Sequence, residues 1–251
     1  MPKGNKSMYL ALDIGNSRIK YGLFEGEDLK AHGDWQGLSP EELVERAYNL
    51  SPRAIIYSNV RQGFVPEWFD LPKGLSLLAL EKGTPLPIEN RYRTPQTLGS
   101  DRLAAVVGAW SVFGGENCLV VDAGSCITLD LLLDGGFEGG VISPGLNMRL
   151  KAMHHFTDGL PSLSQTDIGR EDLGTFKLGK STKEALFLGA LQGAVLEIDA
   201  FIEEAEAVYG PLKVAFTGGD AAFLADKMKR KIFVLPHLVL RGLNEILRYH
   251  V

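Results

Sequence analysis

Cysteine is nearly absent from this 251-residue chain. Cys118 and Cys126 are the only two, eight residues apart in apolar stretches. They are too few for a disulfide framework or a cysteine-rich metal centre, and they read as buried thiols of a reducing compartment. No excess of positive charge is present either: 26 Lys and Arg against 31 Asp and Glu leave a net charge of -5. Nothing general therefore draws in nucleic acid, and an anionic ligand has to be held locally. No uninterrupted apolar stretch approaches the ~18 residues a membrane helix needs. The apolar run that opens at Met8 is cut by Asp13 after five residues, too short for the core of a secretory signal. A cytoplasmic protein with no membrane partner is the expectation. A G-x-G-x-x-G fingerprint is missing too, which leaves a Rossmann dinucleotide site without its phosphate turn. What is present is ordinary globular material, 45% hydrophobic and 23% charged, enough for a substantial core.

The length allows one large domain or two modest ones. Met8–Asp13, Arg18–Phe24 and Asp28–His32 read as a strand meander broken by glycines. Ser39-Pro40-Glu41-Glu42 places Ser at an N-cap, Pro at N1 and Glu at N3 of a helix running to Leu50. Ala54–Ser58 and Leu75–Leu80 look like buried strands, and Gly83–Leu98, with three prolines, reads as a long ordered loop. Ser100 is expected to cap a helix to about Phe113. The second half repeats the opening: Cys118–Ser125 parallels Tyr9–Asn16, an apolar strand ending in Asp, then one small or apolar residue, Gly and a polar residue, with a further strand at once in both copies. This is an internal duplication. Strand Gly139–Ser143, a helix from Gly145, a loop over 157–180, a long helix Ser181–Tyr209, strand Leu212–Phe216, a Gly-Gly-Asp220 turn, a short helix, strand Ile232–Leu235 and a last helix from about Leu238 complete a mixed α/β chain.

An apolar strand ending in Asp-x-Gly has a physical use. The glycine lets backbone approach closely, free amides of the turn can meet phosphate oxygens, and the carboxylate can hold a metal or its water shell. One copy is most often just a turn; two in equivalent places, at Asp13 and Asp122, point to nucleotide binding, with Lys20 as a phosphate partner. Gly174–Ser181 also fits G-x-x-x-x-G-K-[ST], but a buried strand must feed that loop, and Ser164–Asp172 is polar and turn-rich. Ser181-Thr-Lys-Glu184 serves better as a capping box. Asp101, in a first helical turn after the long loop, is the best candidate for chemistry, with Arg102 beside it as a planar fork for an anion. Gly139–Gly145 runs into a helix N-terminus, another place where amides hold an anion. His154 and His155 point about 100° apart on a helix and cannot share a metal. Trp35, Trp68 and Trp110 show no base-stacking spacing and read as core or interface.

Taken in order, Asp13-Ile-Gly-Asn-Ser-Arg-Ile-Lys20, Tyr92 followed by Gly99-Ser-Asp-Arg102, Asp122-Ala-Gly-Ser-Cys-Ile-Thr128, Gly139-Gly-Val-Ile-Ser-Pro-Gly145 and Ser181-Thr182 resemble the type III pantothenate kinase family along nearly the whole chain. The resemblance implies an α/β fold of two duplicated ribonuclease-H-like lobes, 1–115 and 116–251, with mixed sheets flanked by helices and a nucleotide cleft between them. It implies transfer of the ATP γ-phosphate to the terminal hydroxyl of pantothenate, the first step towards coenzyme A. Asp13, Ile14, Gly15, Asn16, Ser17, Arg18, Ile19 and Lys20 would form the first phosphate loop, and Ser125 would touch ATP. Asp101 would be the base; Tyr92, Gly99, Ser100, Asp101, Arg102 and Thr182 would contact pantothenate; Asp122 would hold a monovalent cation, K⁺ or NH₄⁺. Mg²⁺ with ATP and a homodimer complete the implied picture. Ser17 and Ser125 stand where the family often has Thr, keeping the hydroxyl, so tuning of ATP affinity is expected. The alternatives are a non-catalytic ligand-binding accessory factor of a regulatory system, or another small-molecule kinase of the same superfamily.

Overall fold

The computed structural model describes residues 8–16, 18–68, 71–164 and 178–251. Two compact units divide it: the first takes in the chain up to Gly115 together with Leu132–Glu138 and His237–Val251, the second Glu116–Leu131 and Gly139–Pro236.

In the first unit, strands β1 (Met8–Ile14), β2 (Ile19–Glu25), β3 (Asp28–Trp35), β4 (Ala54–Asn59) and β5 (Ser76–Ala79) form a five-stranded sheet in the order β3-β2-β1-β4-β5. The meander is antiparallel, and β4 and β5 are added parallel to β1. Central β1 is buried on both faces, hence its unbroken apolar run. Helix α1 (Pro40–Asn49) starts in the expected capping box, the Ser39 hydroxyl accepting from the Glu42 amide and the Glu42 carboxylate accepting from the Ser39 amide. Helix α2 (Ser100–Val112) corrects one expectation: its N-cap is Gly99, with no side-chain cap, and Ser100 is already helical. The expected long loop carries a two-residue strand, β6 (Glu89–Asn90).

The C-terminal helix α6 (Leu238–His250) belongs to this first unit, although sequence order placed it with the second half. Packing explains why. Leu238, Leu240, Leu243, Ile246 and Leu247 are fully buried, and α6 lies on α2 so closely that a Cβ on Gly242 would overlap the Ala104 carbonyl oxygen.

The second unit repeats the same strand order. Strands β7 (Cys118–Ala123), β8 (Cys126–Leu133), β9 (Gly136–Pro144), β10 (Lys213–Thr217) and β11 (Phe233–Val234) run β11-β10-β7-β8-β9, the counterpart of β5-β4-β1-β2-β3. The duplication read from the two Asp-x-Gly turns therefore extends to the topology. Between β8 and β9, Asp134 and Gly135 both have positive φ, 47° and 70°, as a two-residue hairpin turn demands. That hairpin end belongs to the first unit, where β6 pairs with β9 at Glu89–Gly136 and Asn90–Phe137.

Helix α3 (Leu146–His155) follows β9, helix α4 (Thr182–Tyr209) precedes β10, and a short α5 (Ala221–Ala225) follows it. Ser181 caps α4, its hydroxyl accepting from the Glu184 amide as expected, but the other half of the capping box is displaced: the Glu184 carboxylate accepts from the Lys180 amide instead of that of Ser181. Long and apolar enough by composition to cross a membrane, α4 instead buries Leu186, Phe187, Leu188, Ala190, Leu191, Ala194, Ile198 and Ile202 in the second unit's core. Gly174–Lys177, half of the G-x-x-x-x-G-K-S match, lie outside the described residues, as does Ser17.

Candidate active site

Asp13, one residue before the end of β1, is 7% exposed. Burial pushes its carboxyl above the usual range; Lys20 pulls the other way, the Asp101 charge adds to the rise, and a hydrogen bond from Ser58 opposes it. The sheet sets this arrangement: Lys20 of β2 is the antiparallel partner of Asp13 and Ser58 of β4 its parallel partner, with Ser58 Oγ donating to Asp13 Oδ1 at 3.2 Å. After Asp13 the chain turns at Gly15, whose amide donates to the Arg18 carbonyl at 3.1 Å. Of the predicted phosphate-loop residues, Ile14 and Ile19 are core side chains at 0% and 1% exposure, so only their backbone faces outward chemistry. Asn16 is exposed, and Arg18 pairs with Asp34 at 3.2 Å.

Asp101 stands in the first turn of α2, where the helix dipole favours a carboxylate. Its Oδ1 accepts the Arg102 amide at 2.9 Å, and Oδ2 has no hydrogen-bond partner among the described residues. A Cβ on Gly99 would come within 2.5 Å of that Oδ1. The glycine N-cap is thus what lets the Asp101 carboxylate fold back over the helix start. Arg102 is buried at 7% exposure, its guanidinium 5.8 Å from the Tyr92 ring and 6.0 Å from Phe137, with the two rings 5.9 Å apart. Arg91 fixes this corner: its side chain takes Glu89, Glu138 and the Leu133 carbonyl, and Gly136 leaves room for it. Sequence reading missed Phe137 and Arg91, because their relevance depends on the β6–β9 pairing.

In the second unit Asp122, one residue before the end of β7, is the parallel partner of Thr217 on β10. Two glycines are required here. Gly218, at φ 95°, brings its Cα against Asp122 and the Ala123 carbonyl, where a Cβ would overlap both. Gly145 packs likewise on the Gly124 and Ser125 carbonyls and donates its amide to the latter at 3.2 Å. Gly124 donates to the Cys126 carbonyl at 2.9 Å. The Asp122–Ser125 turn, the Gly218–Asp220 turn and the start of α3 therefore meet at one place, with Ser125 exposed. Arg149, unmarked in the sequence, anchors that place: it holds the Pro144 carbonyl at 2.8 Å, Ser143 at 2.6 Å and Glu197 of α4 at 2.6 Å. Thr182 is exposed at the start of α4.

No group of three His, Cys, Asp or Glu side chains that could hold a metal is present among the described residues. Cys118 is buried, which pushes its thiol up to about 12 and leaves it inert. His154 is turned onto the Leu160 carbonyl at 2.7 Å. Trp35 stacks on Tyr21 at 4.5 Å, and Trp68 packs with Tyr48 and Tyr57 in the first unit.

A twice-used strand order with an Asp-x-Gly turn in each copy, and a helix-borne carboxylate near the first, make up the actin-like sugar-kinase fold. Comparison with known proteins agrees. The type III pantothenate kinase family profile matches residues 9–204. A type III pantothenate kinase of Cytophaga hutchinsonii is 38% identical over 97% of this chain and 100% of its own. One from Bacteroides fragilis is 39% identical over 97% and 98%. Among solved structures, one titled a conserved putative Baf family transcriptional activator from Campylobacter jejuni superposes with a TM-score of 0.62 at 26% identity, covering 96% of this chain and 98% of that one. A putative N-acetylmannosamine kinase from Listeria monocytogenes shares the fold at a TM-score of 0.59, 13% identity and 97% and 100% coverage. The chain belongs to the type III pantothenate kinase family.

Proposed function

We propose that this protein phosphorylates pantothenate with ATP, the first step of coenzyme A synthesis, and that Asp101 is its base. The observation that carries the assignment of Asp101 is its carboxylate folded over the Gly99 N-cap, one oxygen held by the Arg102 amide and the other without a hydrogen-bond partner among the described residues. Phosphoryl transfer has a loose transition state, so positioning and charge neutralisation do most of the work, and the base need only orient the hydroxyl and take its proton late. An ionised carboxylate at a helix start suits that task.

Arg102 is already desolvated against Tyr92 and Phe137, so a pantothenate carboxylate meeting it gains a strong charge-assisted contact. Tyr92, Gly99, Ser100 and Thr182 complete the pantothenate contacts in this reading. The Asp13–Lys20 turn and Ser125 take the nucleotide, with Ser17 and Ser125 offering hydroxyls where relatives often carry Thr. Mg²⁺ arriving with ATP fits Asp13, because a cation offsets both the burial of that carboxylate and its repulsion from Asp101. When bound, it would neutralise charge on the ATP phosphates during transfer of the γ-phosphoryl group. A monovalent cation, K⁺ or NH₄⁺, fits Asp122, one carboxylate among main-chain carbonyls. A homodimer and a cytoplasmic location, in keeping with two reduced cysteines, belong to the same reading.

Coupled ADP release with ATP, Mg²⁺ and pantothenate, run in potassium and again in sodium buffer, tests it. Pantothenate-dependent release that requires potassium is the expected result. Protein that binds ATP but releases no ADP in either buffer would instead be an accessory ligand-binding factor or a kinase for another substrate.

A further inference from the structure

We infer that Arg61 is a phosphate-binding residue of the nucleotide site, a role that rests on reading the Asp13–Lys20 turn as the first phosphate loop. Arg61 follows β4 and lies across that turn, its Nε donating to the Gly15 carbonyl at 2.9 Å. This bond uses one of the five guanidinium N–H groups. The four on Nη1 and Nη2 have no protein partner among the described residues, and no carboxylate there forms an ion pair with Arg61.

The side chain is nonetheless held in place. Its own amide donates to Asn59 Oδ1 at 3.0 Å, and Asn59 Nδ2 in turn donates to the Phe64 carbonyl at 2.5 Å. The neighbouring Val60 amide extends the β1–β4 pairing by donating to Ile14 at 3.1 Å. The guanidinium rests 5.0 Å from the centre of the buried Phe64 ring. A half-buried arginine fixed on one edge, with a ring against its face and its far edge without protein acceptors, is pre-organised for a planar two-oxygen contact.

The ligand this geometry fits is an anion with several adjacent oxygens, seated at the Gly15 turn. A nucleoside polyphosphate supplies that, and the carboxylate already present, Asp13, would otherwise leave the turn unfavourable to an anion. Arg61 and Lys20 then provide two cations against it. Nothing in the sequence marks Arg61, because it lies 46 residues from the turn it touches.

Direct binding of ATP, ADP and adenosine to the full chain, by calorimetry, separates this role from one of merely bracing Gly15. R61Q keeps a donor for the Gly15 carbonyl and removes the charge. It is expected to weaken ATP and ADP by about ten- to a hundredfold, leave adenosine within about twofold, and melt within a few degrees of the parent. R61K should recover part of the loss, and the difference between R61Q and the parent should shrink as salt rises. Equal weakening of adenosine, or no weakening of ATP, overturns the assignment. If R61Q fails to fold, R61K decides alone: parent-like ATP affinity that does not respond to salt overturns it, and a salt-dependent loss confined to ATP and ADP upholds it. A parent protein that binds no adenine nucleotide at all would instead overturn the phosphate-loop reading itself.

Discussion

Asp13 and Asp101 are carboxylates of the same unit with different burdens. Asp13 is buried and its charge is disfavoured by that burial; Asp101 sits at the open end of a helix. Substituting Asp101 by Asn retains the oxygen that accepts the Arg102 amide but removes the base. Turnover should fall by about a hundredfold or more, with circular dichroism and melting unchanged; undiminished turnover would take Asp101 out of the mechanism. A second residue speaks to pH. His237 caps α6 in the left-handed region at φ 59°, its ring 4.0 Å from that of His32. Burial pushes its pKa below the usual value, His32, Lys20 and Arg241 push it further, and Asp34 opposes them. A folded pKa below the unfolded one means that His237 favours folding above about pH 6.5 and that this contribution is lost as pH falls below it. Asn tolerates the same backbone region, so H237N should lose less stability than the parent between pH 7 and 5 in urea titrations. Equal losses would show that His237 contributes nothing to the pH dependence of stability in this range.

At the scale of elements, the α2–α6 contact depends on backbone touching backbone. Gly108 faces the Leu238 carbonyl, where a Cβ would come within 2.5 Å, and Gly242 faces Ala104 even more closely. G242A gains helix propensity yet should cost about 1–3 kcal/mol through forced separation of the helices, seen as a lower urea midpoint; a midpoint at or above the parent's would mean the helices part freely. These elements also show what the sequence could reveal. Local chemistry was legible: the Ser39 and Ser181 caps, the buried run of β1 and the paired Asp-x-Gly turns all depend on neighbours within a few residues. The Gly99 cap was misread because serine is the better capping side chain, while the site needs the space that only glycine leaves beside Asp101. β6, Phe137, Arg149 and Arg61 were silent, since each gains meaning from a partner far along the chain.

For the whole molecule, the second unit leaves large apolar side chains uncovered, among them Ile142, Met148 and Leu196 at 63%, 42% and 62% exposure. In the proposed homodimer a second copy covers such surface, and sedimentation equilibrium should return about 55 kDa, twice the 27.4 kDa chain mass; a value near the chain mass at micromolar concentration would dismiss the dimer. The chain also passes between its two units four times, after Gly115, Leu131, Glu138 and Pro236. A ribosome therefore releases the strands of the first unit long before the helix that closes its core. Until α6 emerges, the sides of β1, β4 and α2 that it covers have no native cover. A nascent chain of this protein is thus a client for holding chaperones through most of its synthesis, and a truncation that removes only the last helix strikes the half of the molecule made first.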